Sequence, residues 1–433
     1  MRLILVIAAF IVWISTEAKT KPNIIYITAD DMGYADLSCY GNTMFKTPQL
    51  DAMAMQGMVF RNAYVAAPVC TPSRTALMTG RYPARVEVGL REPIDWNGDD
   101  SLIGLNRSIP NLAMQLNKAG YSTHLVGKWH LGFSSASFPL NNGFDSFYGL
   151  LGGANDYISH TTPSGQPDFY DGFSVCKDQG YMTDLLAKRA IDIIKAKHEK
   201  PFFLSLQFTA PHWPWQAPGD SVYPKGNNAW KQGGSKEVFK RMVQSMDSAI
   251  GEVLAAVKKS GLEKNTIIIF TSDNGGERYS DMGPYKNRKM SLWEGGIKIP
   301  AIVYWPGGAT TTRHIDQPII NMDWSATFYA IAGIKPDPES DGISLLPLLK
   351  GNNKMIDRVF VWRITQRANQ KAVRKGNWKY LIAESGEYIF NLGTDPYESN
   401  NLIHTETEKL KEMKAILAQW EAKMLKPLPA VLN

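Results

Sequence analysis

The sequence predicts an α/β fold, with a large mixed, mostly parallel sheet flanked by helices and a smaller antiparallel sheet plus a helix after it. Short apolar runs alternate with polar loops and helical patterns up to about residue 347, as in a largely parallel sheet. Beyond that point short segments are spaced by turns. The chain has 433 residues, of which 44% are hydrophobic and 20% charged, so disorder, collagen and a coiled coil are excluded.

The apolar, β-branched runs are of the buried-strand type, and helical patterns lie between them. Strands are predicted at residues 23–28, 121–126, 202–208, 266–271 and 299–305. One helix begins at Thr47 and Pro48 and ends at Gly57. Further helices are predicted at residues 108–118, 182–197, 237–259 and 323–332.

The two ends of the chain differ from the central pattern. In the C-terminal part, short strands are predicted at residues 358–364, 377–382 and 387–391, and a final helix at 406–423. At the N-terminus, Arg2 precedes an apolar run over residues 3–14 and small residues near Ala18, the pattern of a signal peptide too short to span a bilayer. We therefore predict a signal peptide at 1–18, an α/β domain at 19–347 and an α+β subdomain at 348–433.

Charge and cysteine content narrow the classes of partner. The 47 Lys and Arg residues against 41 Asp and Glu residues give a net charge of +6 without basic runs. That surplus suits an anionic small substrate or glycan and argues against nucleic acid. No other segment is long and apolar enough to cross a membrane, so the mature chain is predicted to be exported. The cysteines Cys39, Cys70 and Cys176 are too few for a disulfide framework. If one has a chemical role, the other two could pair or stay free.

Chemically active residues follow four of the predicted strands. The side chains concerned are Asp30 and Asp31, Lys128 and His130, His212, and Asp273 and Asn274. The carboxyl ends of the strands of an open α/β sheet share one edge, where ligands bind. Asp30, Asp31, Asp273 and Asn274 offer only oxygen ligands, which favours Ca²⁺, or Mg²⁺, over zinc. A helix cap or turn is the alternative interpretation of each acidic pair alone.

The most specific local pattern is residues 70–81, CTPSRTALMTGR. Pro72 and Ser73 indicate a helix start, so Cys70 is predicted just before a helix N-terminus, where an anion is favoured. Arg74 follows one turn into that helix. A buried structural thiol is the ordinary interpretation of a single cysteine.

The string resembles the C-x-P-S-R-x-x-x-(Leu/Met)-T-G signature of the type I sulfatases, of arylsulfatase-like type, in the alkaline-phosphatase superfamily. The resemblance extends over nearly the whole mature chain. It includes Asp30-Asp31-x-Gly33, residues 127–132 (GKWHLG), Ala210-Pro211-His212 and residues 272–275 (SDNG), and continues through residues 286–300 to Phe390-Asn391-Leu392 and Asp395-Pro396. It implies an alkaline-phosphatase-like fold and a sulfuric ester hydrolase.

By that resemblance, Cys70 is converted by a maturation enzyme to formylglycine (3-oxoalanine), whose hydrate attacks the sulfur of a sulfate ester. The resemblance also implies that one Ca²⁺ is held by Asp30, Asp31, Asp273 and Asn274 together with converted Cys70. Arg74 and Lys128 hold the diol and the sulfuryl oxygens, and His130 is the candidate base. His212 and Lys289 contact the bridging oxygen, and which of them is the general acid stays open.

The chain departs from the family at Lys286-Asn287-Arg288-Lys289, where Arg-Gly-Gly-Lys is common, and at Lys298, often an arginine. The predicted substrate is a sulfated oligo- or polysaccharide, a galactan such as carrageenan or a glycosaminoglycan, stacked on rings such as Trp96, Trp129, Trp213, Trp215 and Trp230. Core packing is the alternative for most of these. The predicted location is secreted or periplasmic, or lysosomal in a eukaryote. Alternatives are a phosphonate monoester or phosphodiester hydrolase of the same superfamily and a non-catalytic glycan-binding protein.

Overall fold

The computed structural model describes residues 21–96, 102–224, 226, 229–309, 313–335, 337–352 and 354–430. The predicted signal peptide at 1–18 lies outside the described residues. The strands are β1 Asn23–Ala29, β2 Met58–Phe60, β3 Ala63–Tyr64, β4 Ser122–Lys128, β5 Ser146–Leu150, β6 Tyr170–Asp171, β7 Ser174–Val175, β8 Phe202–Gln207, β9 Thr266–Ser272, β10 Lys298–Ile299, β11 Ala301–Tyr304, β12 Arg313–Ile315, β13 Ile319–Ile320, β14 Val359–Ile364, β15 Gln370–Lys375, β16 Trp378–Ala383 and β17 Gly386–Asn391. The helices are α1 Pro48–Gln56, α2 Cys70–Thr79, α3 Leu112–Lys118, α4 Met182–Lys195, α5 Ala229–Gln232, α6 Lys236–Lys259, α7 Glu294–Ile297, α8 Met322–Ala332, α9 Leu346–Leu349 and α10 Thr407–Glu421.

The main sheet has ten strands among the described residues, in the order β12-β2-β11-β9-β1-β8-β4-β5-β6-β7. Its centre, β9-β1-β8-β4-β5, is parallel throughout, whereas β11 and β6 join it antiparallel. The short strands β10, β3 and β13 form a second sheet, and β14 to β17 form an antiparallel meander. The predicted fold class, a mixed and mostly parallel sheet plus a smaller antiparallel sheet, is confirmed.

Helices cover both faces of the main sheet. Along β1 successive side chains point to opposite faces, so Ile24 and Tyr26 enter one apolar core and Ile25 and Ile27 the other. Helices α2, α3 and α8 contribute to the first core, and α1, α4 and α6 to the second. Burial on both faces explains why the central strands are continuous apolar runs.

Helix boundaries follow local capping chemistry. Helix α1 has Pro48 at its first position and ends at Gly57. The predicted helix at 108–118 begins later, at Leu112, because the Asn111 side chain accepts a hydrogen bond from the Met114 amide at 3.0 Å and caps it there. Helix α2 includes Cys70 as its first residue, with Val69 as the N-cap, so the prediction that Cys70 precedes the helix was wrong by one residue.

The predicted single strand at 299–305 is also wrong. It is divided into β10 and β11, which belong to different sheets, and Pro300 lies between them. Proline has no amide hydrogen to donate to a strand ladder, so the pairing changes there. The C-terminal meander contains a strand that the sequence did not predict, β15. One face of this meander joins the core of the main sheet, and the other packs on α10 through residues such as Val373 and Leu417.

Candidate active site

Four adjacent parallel strands bring the predicted site residues to one edge of the main sheet. Asp273 follows β9, and Asp30 and Asp31 follow β1. His212 lies in the loop after β8, and Lys128 is the last residue of β4. Because these strands are neighbours in the order β9-β1-β8-β4, the acidic and basic side chains that follow them lie next to one another at this edge. The helix N-terminus that carries Cys70 lies over the same edge: one atom each of Asp30, Cys70 and Asp273 lie within 4.8 Å of one another.

The carboxylates form a buried cluster. Asp31, fully buried, receives a hydrogen bond from the Asn274 amide nitrogen at 2.7 Å, and its own backbone N–H donates to Asp273 Oδ1 at 3.2 Å. Its φ of 63° is in the left-handed region, which few non-glycine residues adopt, although aspartate does so more readily than most. Burial raises the pKa of Asp30 to about 8, although Lys128 acts in the opposite direction. The Asp30 carboxylate therefore needs further positive charge to stay ionised at neutral pH.

Two atoms of this cluster test whether a cation fits. Asp30 Oδ1 and Asn274 Oδ1 are buried acceptors without a hydrogen-bond partner. A buried oxygen left in this way costs free energy unless a donor or cation meets it. The donor set of carboxylate and amide oxygens is the one that Ca²⁺ and Mg²⁺ prefer. The residues present therefore fit the predicted cation.

Arg74 joins the acidic cluster to the basic side. Its Nε and Nη2 lie 3.0 and 2.9 Å from Asp273 Oδ2, while Nη1 donates to the Lys128 carbonyl and to Gln207 Oε1, both at 3.1 Å. Lys128, fully buried, places its ammonium 2.6 Å from Asp30 Oδ2. These contacts fix the guanidinium and the ammonium beside Cys70, the place where an anion would lie.

The imidazole of His130 is held in one tautomer. Its Nε2 lies 3.1 Å from the Ile94 carbonyl oxygen, which can only accept, so Nε2 carries the hydrogen. Nδ1 is then a buried lone pair with no hydrogen-bond partner. The Thr71 hydroxyl donates to the His130 carbonyl at 3.1 Å and accepts from the Ile94 amide at 3.2 Å, which ties both to the start of α2. Burial lowers the pKa of His130 well below its ordinary value, so the ring is a neutral base.

His212 and Lys289 both reach Asp31. The Lys289 ammonium lies 2.6 Å from Asp31 Oδ2, and His212 Nε2 lies 3.5 Å from the same oxygen. Burial alone would raise the pKa of Asp31, but Lys289 and His212 hold it at about 2. Burial lowers the pKa of His212 well below its ordinary value, whereas Asp31 raises that of Lys289 despite its burial. One neutral and one charged group therefore stand side by side.

Three participants were not found by sequence reasoning: Gln207, Thr71 and the Ile94 carbonyl. Gln207 ends β8, and its position beside the site is readable only once that strand is known to lie next to β4. Thr71 lies inside the predicted string, but a hydroxyl between two backbone groups leaves no pattern of its own. A backbone carbonyl has no sequence signal at all.

Most of the predicted aromatic rings lie in packing, whereas the Trp213 ring lies 4.6 Å from the ring of His212. Trp129, Trp215 and Trp230 are buried, which matches the packing interpretation, and Trp213 is half-buried. Trp96 is 37% exposed and stacks on Phe133. Cys39 and Cys176 are free thiols, so the possibility that they pair is not realised. Within the described residues, no helix has both the length and the apolar character to cross a membrane.

Comparisons with known proteins identify the family and agree with the fold. A family model described as Sulfatase matches residues 22–334, and one described as N-sulphoglucosamine sulphohydrolase, C-terminal, matches residues 281–426. The N-acetylgalactosamine-6-sulfatase of Mus musculus is 33% identical over 92% of this chain and 79% of its own length. The crystal structure of Ps i-CgsB in complex with k-i-k-neocarrahexaose is 29% identical, with a TM-score of 0.84 over 96% of both chains. PsFucS1 sulfatase from Pseudoalteromonas sp. is 25% identical over 95% and 92% of the two chains, with a TM-score of 0.76.

Proposed function

This chain belongs to the sulfatase family of sulfuric ester hydrolases, and from that premise we propose that it removes sulfate from a sulfated carbohydrate by means of a formylglycine made from Cys70 and one Ca²⁺. The observation that carries the proposal is the place of Cys70. It is the first residue of α2, and its sulfur lies within 4.8 Å of carboxylate oxygens of Asp30 and Asp273. A nucleophile there would sit between the proposed cation site and the cations of Arg74 and Lys128.

The unmodified thiol suits this place poorly. Burial raises the pKa of Cys70, so little thiolate forms at neutral pH and a direct attack by sulfur is disfavoured. The hydrated aldehyde of formylglycine supplies two hydroxyl groups, one to attack the ester and one to release the sulfate. Ca²⁺ bound by Asp30, Asp31, Asp273 and Asn274 supplies positive charge that lowers the pKa of such a hydroxyl and attracts sulfate oxygens. Mg²⁺ is the alternative ion for the same oxygens.

The remaining side chains act through charge and proton transfer. Arg74 and Lys128 are fixed cations beside the nucleophile, which stabilise negative charge on the sulfuryl oxygens without rearranging. His130 Nδ1 is the buried lone pair that accepts the proton when the sulfated form breaks down. Lys289 and His212 contact the bridging oxygen. The charge on Lys289 makes it the better donor to the leaving alcohol, and neutral His212 the better acceptor or hydrogen-bond partner.

We propose a sulfated galactan or a glycosaminoglycan as the substrate. The relatives named above include an N-acetylgalactosamine-6-sulfatase and a protein crystallised with a neocarrahexaose. The net charge of +6 also favours an anionic partner. Residues 19–347 would form the catalytic domain and residues 348–433 a C-terminal subdomain. Export after cleavage near Ala18, to a secreted, periplasmic or lysosomal location, and conversion by a formylglycine-generating enzyme belong to the same proposal.

The test combines maturation with sulfate release. The protein is made with a formylglycine-generating enzyme present, and the peptide that carries residue 70 is weighed. Purified enzyme is then given κ-carrageenan and chondroitin sulfate oligosaccharides, from which released sulfate is measured by ion chromatography. It is also given bis(4-nitrophenyl) phosphate, from which released 4-nitrophenolate is measured by absorbance, and Cys70→Ala is the control in both assays. We expect an aldehyde at residue 70 and sulfate release that Cys70→Ala abolishes. Cleavage of the phosphodiester alone would favour the phosphodiesterase alternative, and a thiol that stays unconverted while a control protein is converted would overturn the mechanism.

A further inference from the structure

We propose that Glu398 is a positioning residue, which clamps the loop of residues 286–294 and so holds Lys289 against the leaving group. This inference rests on the proposed function, because it concerns the same sulfate ester. Glu398 lies beyond β17, in the C-terminal part of the chain and outside the strands that build the site. It gives that subdomain a direct part in the reaction.

Glu398 contacts both ends of the loop. Its carbonyl accepts a hydrogen bond from the Lys286 ammonium at 2.8 Å, and its Oε2 accepts one from the Glu294 backbone N–H at 2.8 Å. The ends are also joined to each other, since the Gly295 amide donates to the Lys286 carbonyl at 2.9 Å. A Cβ at Gly295 would lie 2.2 Å from the Asn287 carbonyl oxygen, so the two ends of the loop approach too closely to accommodate a side chain at this position.

The clamp is itself held rigidly. Glu398 is fully buried, and its φ of 58° is in the left-handed region. The buried ammonium of Lys379 lies 2.7 Å from Glu398 Oε1 and 2.9 Å from Glu294 Oε1, so one lysine of β16 binds both carboxylates. The Tyr64 hydroxyl donates to Glu294 Oε2 at 2.6 Å. A buried set of this kind is held firmly only while every member keeps its partner.

Between the clamped ends, the second half of the loop is held by other contacts: the Leu292 amide donates to Gln370 Oε1 at 2.8 Å, and Leu292 and Trp293 are buried in the core. The first half, around Lys289, has fewer. Asn287 and Met290 both have positive φ, of 60° and 69°, and the stretch forms no strand. Two backbone hydrogen bonds hold the middle of the loop: the Lys289 amide donates to the Gly276 carbonyl at 3.0 Å, and the Met290 amide donates to the Pro68 carbonyl at 2.8 Å. This backbone and the 2.6 Å contact with Asp31 Oδ2 together place the Lys289 ammonium, so we expect a shift of the ends to displace it from the reacting oxygen.

The consequence is specific to the leaving group. An ammonium on the bridging oxygen matters most when the departing alcohol is a poor leaving group, and little when it is a nitrophenolate. Loss of the clamp should therefore slow the hydrolysis of an ester more, the more basic its leaving alcohol is. A structural defect that merely reduces the folded fraction would slow all esters equally.

Two variants and a matched control test this. Glu398→Gln keeps the shape, but its single oxygen can meet only one of the two donors, the Glu294 amide or the Lys379 ammonium. Lys286→Met removes one exposed ammonium and keeps the stem beside Trp293. Lys375→Met makes the same substitution on the same C-terminal sheet, where Lys375 pairs with Glu412 at 2.7 Å and contacts no part of the loop.

The assay measures kcat/KM for a series of aryl sulfates, from 4-nitrophenyl to 4-methoxyphenyl sulfate. Each value is divided by the fraction of enzyme that is converted at residue 70, and its logarithm is plotted against the pKa of the leaving phenol to give a slope. For Glu398→Gln and Lys286→Met we expect less than about threefold loss with the first ester and about 10- to 100-fold with the last. Lys375→Met should match the wild type. In a Lys289→Ala background, Glu398→Gln should not change the slope further. An unchanged slope in both variants overturns the proposal, and Lys286→Met decides it if Glu398→Gln fails to fold.

Hydrogen–deuterium exchange separates this inference from the proposed function. The amides of Lys289 and Met290 should exchange faster in Glu398→Gln and Lys286→Met, and at the wild-type rate in Lys375→Met. If the wild type cleaves no sulfate ester, the proposed function fails, and the exchange rates alone decide whether the clamp exists. Unchanged exchange in both variants would overturn it.

Discussion

Replacing Arg74 by lysine keeps one positive charge beside Cys70 but removes the planar fork. The guanidinium meets Asp273 with Nε and Nη2, and the Lys128 carbonyl and Gln207 Oε1 with Nη1. A single lysine ammonium cannot reach both the Asp273 carboxylate and the two neutral acceptors. Either Asp273 Oδ2 or the Lys128 carbonyl and Gln207 Oε1 therefore lose their hydrogen-bond donor. At about 1–3 kcal/mol for each unfilled buried group, the folded state should lose about 2–6 kcal/mol.

In free energy, the effect on catalysis should be comparable to that on stability. Loss of one fixed donor to a developing anion typically costs about 10²- to 10³-fold, and we expect that decrease in kcat/KM for sulfate release. Because Arg74 lies in the string around Cys70, the rate is normalised to the fraction of aldehyde found by peptide mass, and stability is measured by urea unfolding.

The control is Arg189→Lys, which breaks a bidentate pair with Asp171 at 2.9 and 2.6 Å on the surface. That pair is partly exposed, so we expect a loss of at most about 1 kcal/mol and unchanged kcat/KM. An Arg74→Lys enzyme that is fully converted and retains kcat/KM within about threefold would refute the assignment of the fork to transition-state stabilisation.

Three further predictions concern the cation, the partly buried His124 and the contact on His130. Chelation should abolish sulfate release and lower the unfolding temperature, and Ca²⁺ should restore both; activity that survives exhaustive chelation would contradict the cation. Burial lowers the pKa of His124 to about 4, so on acidification the unfolded chain takes up a proton at this residue before the folded protein does. The free energy of unfolding should therefore fall by up to about 3 kcal/mol as the pH falls from 6.5 towards 4. His124→Asn should flatten this dependence in urea unfolding, and an already flat wild-type curve would speak against it. A Cβ on Gly153 would lie 2.6 Å from His130 Cε1, so Gly153→Ala should lower kcat by about tenfold or more, whereas an unchanged kcat would mean that the ring needs no such support.

The central strands were predictable because burial on both faces leaves an unmistakable apolar run. Strands β1, β8 and β9 agree with their predicted ranges to within one residue at each end. The position of the polar residues that follow these strands could be predicted as well, because the carboxyl ends of parallel strands lie at one edge of the sheet. Strand direction was not readable: β11 is as apolar as its neighbours but runs antiparallel to β9.

Strand β15 escaped prediction because its polar side chains have distant partners. Its sequence, QKAVRK, has only two apolar residues, Ala372 and Val373, and both are buried. Lys371 pairs with Glu421 at 2.8 Å, and the guanidinium of Arg374 donates to the Tyr64 hydroxyl. Partners fifty or more residues away satisfy groups that, in the sequence alone, indicate a solvated loop.

The charges of the site explain why cation and substrate belong together. When all are ionised, three carboxylates face three cations, so the site is close to neutral before any ligand binds; they are Asp30, Asp31 and Asp273, and Arg74, Lys128 and Lys289. The two histidines add nothing to this balance, because burial lowers the pKa of each well below its ordinary value. A divalent cation, as proposed, would add two positive charges, and a sulfate ester would return one of them. The proposed ion would therefore strengthen the attraction of the site for an anion, so we expect the affinity for a sulfated substrate to depend on the ion even before any bond is broken.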